Sequence, residues 1–379
     1  MKEGWKKVKL GEVCDLYQPP TISSKELKED GLYDVFGANG IIGKYNKYNH
    51  IEPEILMTCR GATCGNINVS TYKSWINGNA MVVHIKDTTE LNFYYLKYLL
   101  SFIDKKNIIT GAAQPQITRQ TLAPILINYP PFEEQHRIVS ILDASFKKID
   151  ALKKNAEENL KNAKALFQQV LAQELKPKEG WVEKKLGEVV KHITDGDHQP
   201  PPKSNQGIPF ITISNINKDN RTIDWRNTFY VPKEYFDGLK DDRKPKKGDI
   251  LYTVTGSYGI PVLIDSDSEF CFQRHIAIIR PNKETVCSEF LYNWALSVYS
   301  KEQAEDTATG AAQKTVSLKS MRNFKISFPT DIEEQHRIIR TLDTLSEKCR
   351  RLEEVAQQTI RECDALKQSI LRQAFSGEL

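Results

Sequence analysis

The sequence lacks the features of a membrane or secreted protein. No apolar run in its 379 residues approaches the roughly 18 that a membrane-spanning helix needs, and the mean hydropathy is −0.49. The basic start, MKEGWKKVKL, has no apolar stretch behind it, so we expect no secretory signal. Seven scattered cysteines, an odd number, predict reduced thiols in a cytoplasmic protein.

Concentrated charge and metal-ligand clusters are also scarce. Cys59 and Cys64 have no second Cys/His pair near them that would complete a zinc site. The net charge is only +4, from 53 basic and 49 acidic residues. Because nucleic-acid-binding domains are usually strongly basic, any DNA contact here must come from positive charge that the fold gathers on one surface.

What the sequence does have is an internal repeat with a period near 200 residues. This period is far longer than the roughly 20 to 50 residues of solenoid repeats, so it predicts a duplicated domain pair. The offset grows from 176 to 195 residues, which places 19 extra residues of the second copy at about 213–248. The matching stretches are GWKKVKLGEV (4–13) with GWVEKKLGEV (180–189), EILMTCRGATCG (54–65) with DILYTVTGSYG (249–259), TGAAQ (110–114) with TGAAQ (309–313), EEQHRI (133–138) with EEQHRI (333–338), and LAQEL (171–175) with FSGEL (375–379) at offset 204.

Each copy is predicted to contain a compact mixed α/β domain followed by a long helix. Short β-type runs at 55–58, 81–85, 250–254 and 276–279 alternate with Gly/Asn/Pro turns, and a helical patch follows in each copy. Proline is absent from 132–176 and from 330–379. We therefore expect four segments: 1–131, 132–176 (helix), 177–330 and 331–379 (helix).

A heptad pattern in the two helices predicts that they pair as an antiparallel coiled coil with pseudo-two-fold symmetry. Two unrelated surface helices are the alternative. The a positions are taken as Leu142, Ile149, Ala156, Ala163 and Val170, with Leu342, Cys349, Ala356, Cys363 and Ile370 in the second copy. The d positions are then Ser145, Leu152, Asn159, Leu166 and Gln173, with Leu345, Leu352, Thr359, Leu366 and Gln373.

The stretch Asn128-Tyr129-Pro130-Pro131-Phe132 resembles the Asn-Pro-Pro-Phe motif of DNA amino-methyltransferases, interrupted by a Tyr. Its counterpart in the second copy, SFPTDIEEQHRI, keeps neither the Asn nor the second Pro. Proline and glutamate both suit the first turn of a helix, where N–H groups lack partners and the dipole is positive. The motif is therefore predicted to begin a helix, and VFGANG (35–40) is too poor a Gly-rich loop to bind a methyl donor.

Two variable domains, each followed by a long helix that opens with EEQHRI, resemble the specificity (S) subunit of type I restriction–modification enzymes. GWKKVKLGEV, VFGANGIIGKY (35–45), TDGDHQPP (194–201) and the P…EEQ…I…LD openings add to the likeness, which covers essentially the whole chain. The resemblance implies a non-catalytic subunit acting in DNA methylation and host defence. Its domains would each read half of a split duplex DNA target, while its helices dock two methyltransferase subunits, with restriction subunits joining them. S-adenosylmethionine, ATP and Mg²⁺ would belong to those partners.

Candidate DNA contacts are polar or basic residues in glycine- or proline-flanked loops. For each, the alternative is an ordinary turn, a solvent loop or, for the repeated TGAAQ, support of the fold; His275 suits a core strand better than a contact. The candidates are Asn39, Lys44, Tyr45, Arg60, Thr63, Gln114, Arg119, Asp195, His198, Gln199, Thr255, Ser257, Tyr258, Arg274, Gln313, Lys314 and Lys319. For partner docking we expect the helix starts, through Glu134, Gln135 and Arg137 and through Glu334, Gln335 and Arg337.

Three other functions stay open at this level. A self-contained methyltransferase or nuclease would need a donor loop or a carboxylate cluster that the sequence does not offer. A specificity subunit of a methyltransferase-only or type II system would have the same modules. A coiled-coil scaffold would bind DNA without sequence preference, if at all.

Overall fold

The computed structural model describes residues 4–111, 114–196, 198, 200–311 and 313–379. Its contacts divide the chain into two compact units. The first unit comprises Met1–Glu157 with Gln357–Leu379, and the second comprises Glu158–Ala356.

In its described residues the first unit contains nine strands, three short α-helices and a 3-10 turn at Ser24–Glu26, together with the beginning of one long helix and the end of another. The strands are β1 Lys6–Lys9, β2 Cys14–Tyr17, β3 Tyr33–Gly37, β4 Gly40–Tyr45, β5 Ile55–Thr58, β6 Ile67–Val69, β7 Trp75–Ile76, β8 Ala80–Ile85 and β9 Leu126–Tyr129. The helices are α1 Leu10–Val13, α2 Phe93–Phe102, α3 Arg119–Leu122 and the long α4 Phe132–Glu174.

An antiparallel four-stranded sheet, in the order β2-β8-β5-β6, forms the centre of this unit. Its middle strands, β5 and β8, are mostly apolar because both faces are buried; the exceptions are Thr58 and the exposed His84. Ile55, Met57, Met81 and Val83 pack into the larger core with α2, whereas Leu56, Ala80 and Val82 pack with Phe36 and Ile76 on the other face. A mixed sheet, β4-β3-β7, and a ribbon, β1-β9, complete the unit.

The second unit repeats this plan. Its strands are β10 Val182–Lys185, β11 Val190–Asp195, β12 Ile208–Ile211, β13 Ile216–Asn217, β14 Thr222–Ile223, β15 Phe229–Val231, β16 Ile250–Thr253, β17 Pro261–Leu263, β18 Cys271–Phe272, β19 Ile276–Pro281 and β20 Lys325–Phe328. Its helices are α5 Leu186–Val189, α6 Lys233–Asp237, α7 Ser288–Leu296, α8 Val298–Thr307, α9 Leu318–Arg322 and the long α10 Ile332–Ser376.

The sheets of the second unit correspond to those of the first. The four-stranded sheet runs β11-β19-β16-β17, the mixed sheet β15-β12-β18 and the ribbon β10-β20. The region of extra residues, about 213–248, contains the β13-β14 hairpin, β15 and α6. The predicted fold class, two mixed α/β domains each followed by a long helix, is confirmed, and so are the short strands and helical patches that the sequence indicated.

Pairing of the long helices is antiparallel. In the first unit Lys153 contacts Asp364 at 2.6 Å, and Asp150 pairs with Lys367, so the numbers rise along α4 as they fall along α10. In the second unit Leu171 and Leu175 of α4 share a core with Ile338, Ile339 and Leu342 of α10. Each unit therefore takes the start of one long helix and the end of the other.

The predicted heptad frame is wrong at its d positions. The a residues Leu142, Ile149, Ala156 and Ala163 are buried, and so are their counterparts in α10. The d leucines, however, are between 43% and 55% exposed: Leu152, Leu166, Leu352 and Leu366. The second line of contact lies four residues after each a position, at Phe146, Lys153, Leu160 and Phe167, which are partly buried. Both choices contain leucines, so apolar content alone does not distinguish them.

The predicted alignment of the helix ends is also wrong. LAQEL was matched to FSGEL at offset 204, but the structure keeps offset 200 to the end. Leu171 and Leu371 are both buried, at 0% and 5% exposure, and Phe375 packs into the first core where Leu175 packs into the second. The match at offset 204 implied a second helix four residues longer than the first, but the two long helices have 43 and 45 residues.

The cysteines were expected to be reduced thiols. All seven cysteines are free. Burial raises the pKa of the Cys14 thiol to about 12 and raises the pKa of Cys59 above its usual value. Within the described residues, no helix combines the length and apolar character needed to cross a membrane.

Candidate nucleic-acid interface

In the second unit, one edge of the four-stranded sheet gathers several predicted contacts. β11 and β16 both run antiparallel to β19, so their ends lie beside its beginning. Asp195 pairs with Ala277, and Thr253 pairs with Ile276. The loops at this edge, which we call the second loop edge, carry exposed side chains of His198, Ser257 and Arg274.

The chain directly after the repeated TGAAQ is attached to this edge through main-chain bonds. Gly256 N–H donates to Lys314 O at 2.9 Å, and Val316 N–H donates to Val254 O at 2.8 Å. Gln313 and Lys314 are exposed beside the Ser257 loop. The polar side chains of two segments distant in sequence therefore lie at one surface.

The same construction occurs in the first unit. β5 ends and β8 begins at one edge, where Thr58 pairs with Ala80. Gly61 N–H donates to Pro115 O at 3.0 Å, and Arg60 bridges to Gln116. The loops of this first loop edge expose three of the predicted contacts, Arg60, Thr63 and Gln114.

The glycine of each TGAAQ explains why the segment is repeated. Gly111 has φ +88° and Gly310 has φ +116°, a region that side chains disfavour. A Cβ at these positions would lie 2.3 Å from Gln114 O and 2.4 Å from Gln313 O. The glycine is therefore needed for the tight turn that places each glutamine at its loop edge, and this supports the interpretation of TGAAQ as part of the fold.

A hairpin brings Asn39 to the first loop edge. Asn39 lies at the β3-β4 turn, and its side-chain oxygen accepts a bond from Asn68 Nδ2 at 3.0 Å. Thr58 Oγ1 donates to Ala38 O in the same turn. The loop between β3 and β4 is thus held against the end of β5.

Lys44 and Tyr45 are not brought to this edge. They lie at the other end of β4, where Lys44 pairs with Asp34. Five residues of strand separate Tyr45 from the turn, which is roughly 16 Å. The Tyr45 ring packs edge-on against Trp75, with centroids 5.5 Å apart. The structure therefore does not unite these two candidates with Asn39.

Other candidates are less available than the sequence indicated. Thr255 is buried, with its hydroxyl 3.4 Å from that of Thr315, and Tyr258 packs partly against the core. Asp195 pairs with His198 at 2.9 Å. Gln199 lies outside the described residues. A direct contact is consequently harder to make for Thr255 and Tyr258 than for Ser257.

Arg119 and Lys319 lie just beyond the TGAAQ segments, in the short helices α3 and α9. Arg119 is the first residue of its helix and Lys319 the second of its own, and both are exposed. Their backbones belong to helical turns rather than to the loop edges.

Sequence reasoning missed two exposed glutamines at the first loop edge. Gln18 follows β2, and its Nε2 donates to Gly78 O at 2.6 Å and to Cys59 Sγ at 3.0 Å. The main chain of Gln116 forms isolated β-bridges with both Arg60 and Thr110. A signal existed for Gln18, because Gln-Pro-Pro at 18–20 recurs at 199–201 beside the noted TDGD stretch.

The helix starts confirm one prediction and revise another. α4 begins at Phe132, and Pro131 O accepts bonds from Glu134 N–H and Gln135 N–H, so NYPPF does begin a helix. Arg137 makes a two-bond ion pair with Glu134, at 2.7 and 2.8 Å. Glu334 and Arg337 repeat this pair on α10.

Gln135 and Gln335, however, are fully buried, with 0% exposure. Both side chains are bonded inside their own units and are not available to a partner's surface. The predicted docking set is therefore reduced to the two Glu/Arg pairs. Among the residues that the structure describes, no three His, Cys, Asp or Glu side chains are grouped to share a metal ion.

Comparison with protein families decides what these two units are. The model of the type I restriction modification DNA specificity domain matches residues 2–162 and again residues 178–362. The chain belongs to this family. It is thus a specificity subunit of a type I restriction–modification system, which works in a complex with other subunits and is not itself an enzyme.

Named relatives agree with the assignment. The specificity subunit of the type I restriction enzyme EcoBI of Escherichia coli is 23% identical, over 100% of this chain and 86% of that protein. A putative type I specificity subunit of Haemophilus influenzae is 27% identical, over 89% of this chain and 86% of the relative.

Solved structures share the fold. One chain, from a study of complex assembly and conformational transition in a type I system, has a TM-score of 0.77 at 21% identity, covering 100% of this chain and 99% of that one. The HsdS subunit of Thermoanaerobacter tengcongensis has a TM-score of 0.52 at 21% identity, with 100% and 98% coverage.

Proposed function

We propose that this specificity subunit reads a bipartite duplex DNA target, one half with each loop edge. The exposed groups suit base and phosphate recognition, because arginine and lysine bind phosphates or guanine and glutamine can bond to adenine. The first edge offers Arg60, Gln114 and Gln116, and the second offers Arg274, Gln313 and Lys314.

One observation carries the proposal. Both edges have the same main-chain frame, in which a glycine N–H after the sheet strand donates to the carbonyl oxygen of the residue directly after TGAAQ: Gly61 to Pro115 O, and Gly256 to Lys314 O. Apart from the repeated glutamine, Gln114 and Gln313, the side chains on the two frames differ. A common frame with different exposed groups is what two readers of different sequences require.

Exchanging residues 14–130 for the equivalent segment of a relative tests this. We expect the assembled complex to change one half of its selected DNA sequence and to keep the other. The measurement is selection from a random duplex pool, followed by sequencing. The matched control exchanges residues 190–329 and should alter only the other half. A change in both halves, or in neither, after either exchange contradicts the proposal.

We further propose that the Glu134–Arg137 and Glu334–Arg337 pairs dock two modification (methyltransferase) subunits, which restriction subunits then join. The pairs support this because both make the same ion-pair bonds on a partly exposed helix start; Arg137 in addition donates to Leu379 O at 2.7 Å. S-adenosylmethionine, ATP and Mg²⁺ would be bound by those partners, and the complex would act in the cytoplasm.

Replacing both Glu134 and Arg137 with Ala is expected to weaken binding of one modification subunit about tenfold, since truncating interfacial charges removes complementary contacts. Sedimentation velocity on a titration series measures the affinity for the modification subunit. In a separate binding assay, the chain alone should retain no labelled S-adenosylmethionine. The control replaces Asp224 and Arg226, an exposed pair in the second unit. Equal affinity for both variants contradicts the docking role.

A further inference from the structure

The buried Gln135 holds three main-chain groups of the first unit. Its Oε1 accepts a bond from Asn92 N–H at 2.8 Å. Its Nε2 donates to Glu90 O at 2.9 Å and to Pro130 O at 2.9 Å. A glutamine side chain has one acceptor oxygen and two N–H donors, so all of its polar hydrogens are used.

Gln335 makes the same three bonds in the second unit. Its Oε1 accepts from Cys287 N–H at 2.8 Å, and its Nε2 donates to Thr285 O at 3.0 Å and to Pro329 O at 2.9 Å. The corresponding distances in the two units agree within 0.1 Å.

We call each of these sets of three bonds, made by Gln135 or by Gln335, a joint. The joint does not depend on which side chains surround it. Glu90 is replaced by Thr285 and Asn92 by Cys287, yet the bonds persist because they use backbone atoms only. The chain between the joined residues also differs, with separations of 43 residues in one unit and 48 in the other. Two different recognition domains are thus attached to their long helices by the same three hydrogen bonds.

The joint connects the reading sheet to the long helix. Asn92 caps α2, and its side chain accepts bonds from Tyr94 N–H and Tyr95 N–H. α2 follows β8, the strand whose beginning lies at the first loop edge. Gln135, in the first turn of α4, therefore fixes the element that follows the reading sheet against the helix that carries it.

We infer that Gln135 and Gln335 are positioning residues that set the orientation of each recognition domain on its long helix, and with it the spacing between the two half-sites. This inference rests on the proposed reading of a bipartite target. It also gives a reason why domains can be exchanged, because any domain whose loop offers the same N–H and C=O groups can be held.

The test uses the full chain in its assembled complex, with Gln135→Met, which keeps the length of the side chain and removes its bonds. DNA is selected from a pool with random half-sites and varied spacers. The expected result is that the base sequence of both halves stays unchanged, while affinity at the native spacing falls about tenfold and neighbouring spacings are accepted. Gln335→Met should give the same loss of spacing, and Glu133→Gln, an exposed change in the same turn, should leave spacing unchanged.

Hydrogen exchange provides a second measurement that does not depend on DNA. In Gln135→Met the Asn92 amide should exchange at least about tenfold faster, while the amides of β8 stay protected. An unchanged Asn92 rate, or a single spacing at unaltered affinity, overturns the inference. Loss of protection throughout β8, or altered base choice, overturns it as well, because the residue would then be supporting the fold.

Failure of the proposed DNA reading and failure of the inference about Gln135 give different results. If the unaltered complex selects no bipartite sequence, the proposed function fails. The rates at Asn92 and β8 then still decide whether Gln135 joins the two elements, and only the consequence for spacing is lost with the function. If the unaltered complex selects its sequence and Gln135→Met matches it at every spacing, the inference alone fails.

Discussion

Replacing Arg280 with Met is expected to lower the free energy of unfolding of the second unit by roughly 3–5 kcal/mol, the usual effect of removing one partner of a buried ion pair. The Arg280 guanidinium binds Asp249 through two bonds, at 2.8 and 2.7 Å, and donates to Lys244 O at 2.8 Å. The side chains are only 12% and 3% exposed. Bonding to the Asp249 carboxylate raises the pKa of Arg280 above its ordinary value.

The physical reason is that Asp249 would remain as a buried carboxylate without its counter-ion. Its other contact, from Lys246 N–H at 2.8 Å, does not neutralise it. Chemical denaturation followed by hydrogen exchange of β16 and β19 measures the loss. The control is Arg226→Met, which breaks an exposed pair with Asp224 that solvent screens, so it should cost much less. Similar losses for both variants would show that burial of the Arg280 pair has no energetic importance.

This ion pair shows where prediction from sequence ends. The two strands were predicted from the β-type runs at 250–254 and 276–279; Asp249 directly precedes the first strand, and Arg280 lies near the end of the second. Nothing in the runs indicates that a charged residue beside each of them would be enclosed. That depends on residues 241–249, part of the region in which the second copy is longer, folding over the end of β19.

The helices show a different limit. Proline-free stretches and apolar periodicity predicted that the two long helices exist and how long they are. They did not predict which residues of each helix face the other. Leu152 and Leu166 fit a heptad as well as Phe146 and Leu160 do. The choice between them is made by the other helix and by the core at each end, which a single periodic pattern does not contain.

For the candidate site, loop composition predicted the positions but not their grouping. Arg60 forms a β-bridge with Gln116, which also pairs with Thr110, and these pairings bring the residues that follow TGAAQ to the end of β5. Gln135 was predicted to dock a partner because it lies in the helix start, but its side chain is buried. Its burial depends on backbone groups 43 and 45 residues earlier, which the local sequence does not reveal.

Deleting residues 371–379 is expected to unfold the first unit while the second stays folded. These residues end α10 and enter the first core, where Leu371 is 5% and Ala374 0% exposed. The Phe375 ring packs against Tyr95 and Phe102, with centroids 5.4 and 5.5 Å away. Loss of a buried leucine alone costs roughly 2–5 kcal/mol and loss of a phenylalanine roughly 3–5, against a total of about 5–15 for a domain.

Segment-resolved hydrogen exchange separates the two units in this variant. Amides of β8 should exchange as in an unfolded chain, whereas those of β19 should stay protected, because the second core takes Leu171 and Leu175 from α4 instead. A graded pair of controls is Leu371→Ala, which should destabilise the first unit by about 2–5 kcal/mol, and Arg372→Ala, an exposed neighbour, which should change it by less than about 0.5. Protection of β8 in the deletion variant contradicts a structural role for the chain end. Loss of protection in β19 as well would show that the two cores depend on each other, although each has its own set of buried side chains.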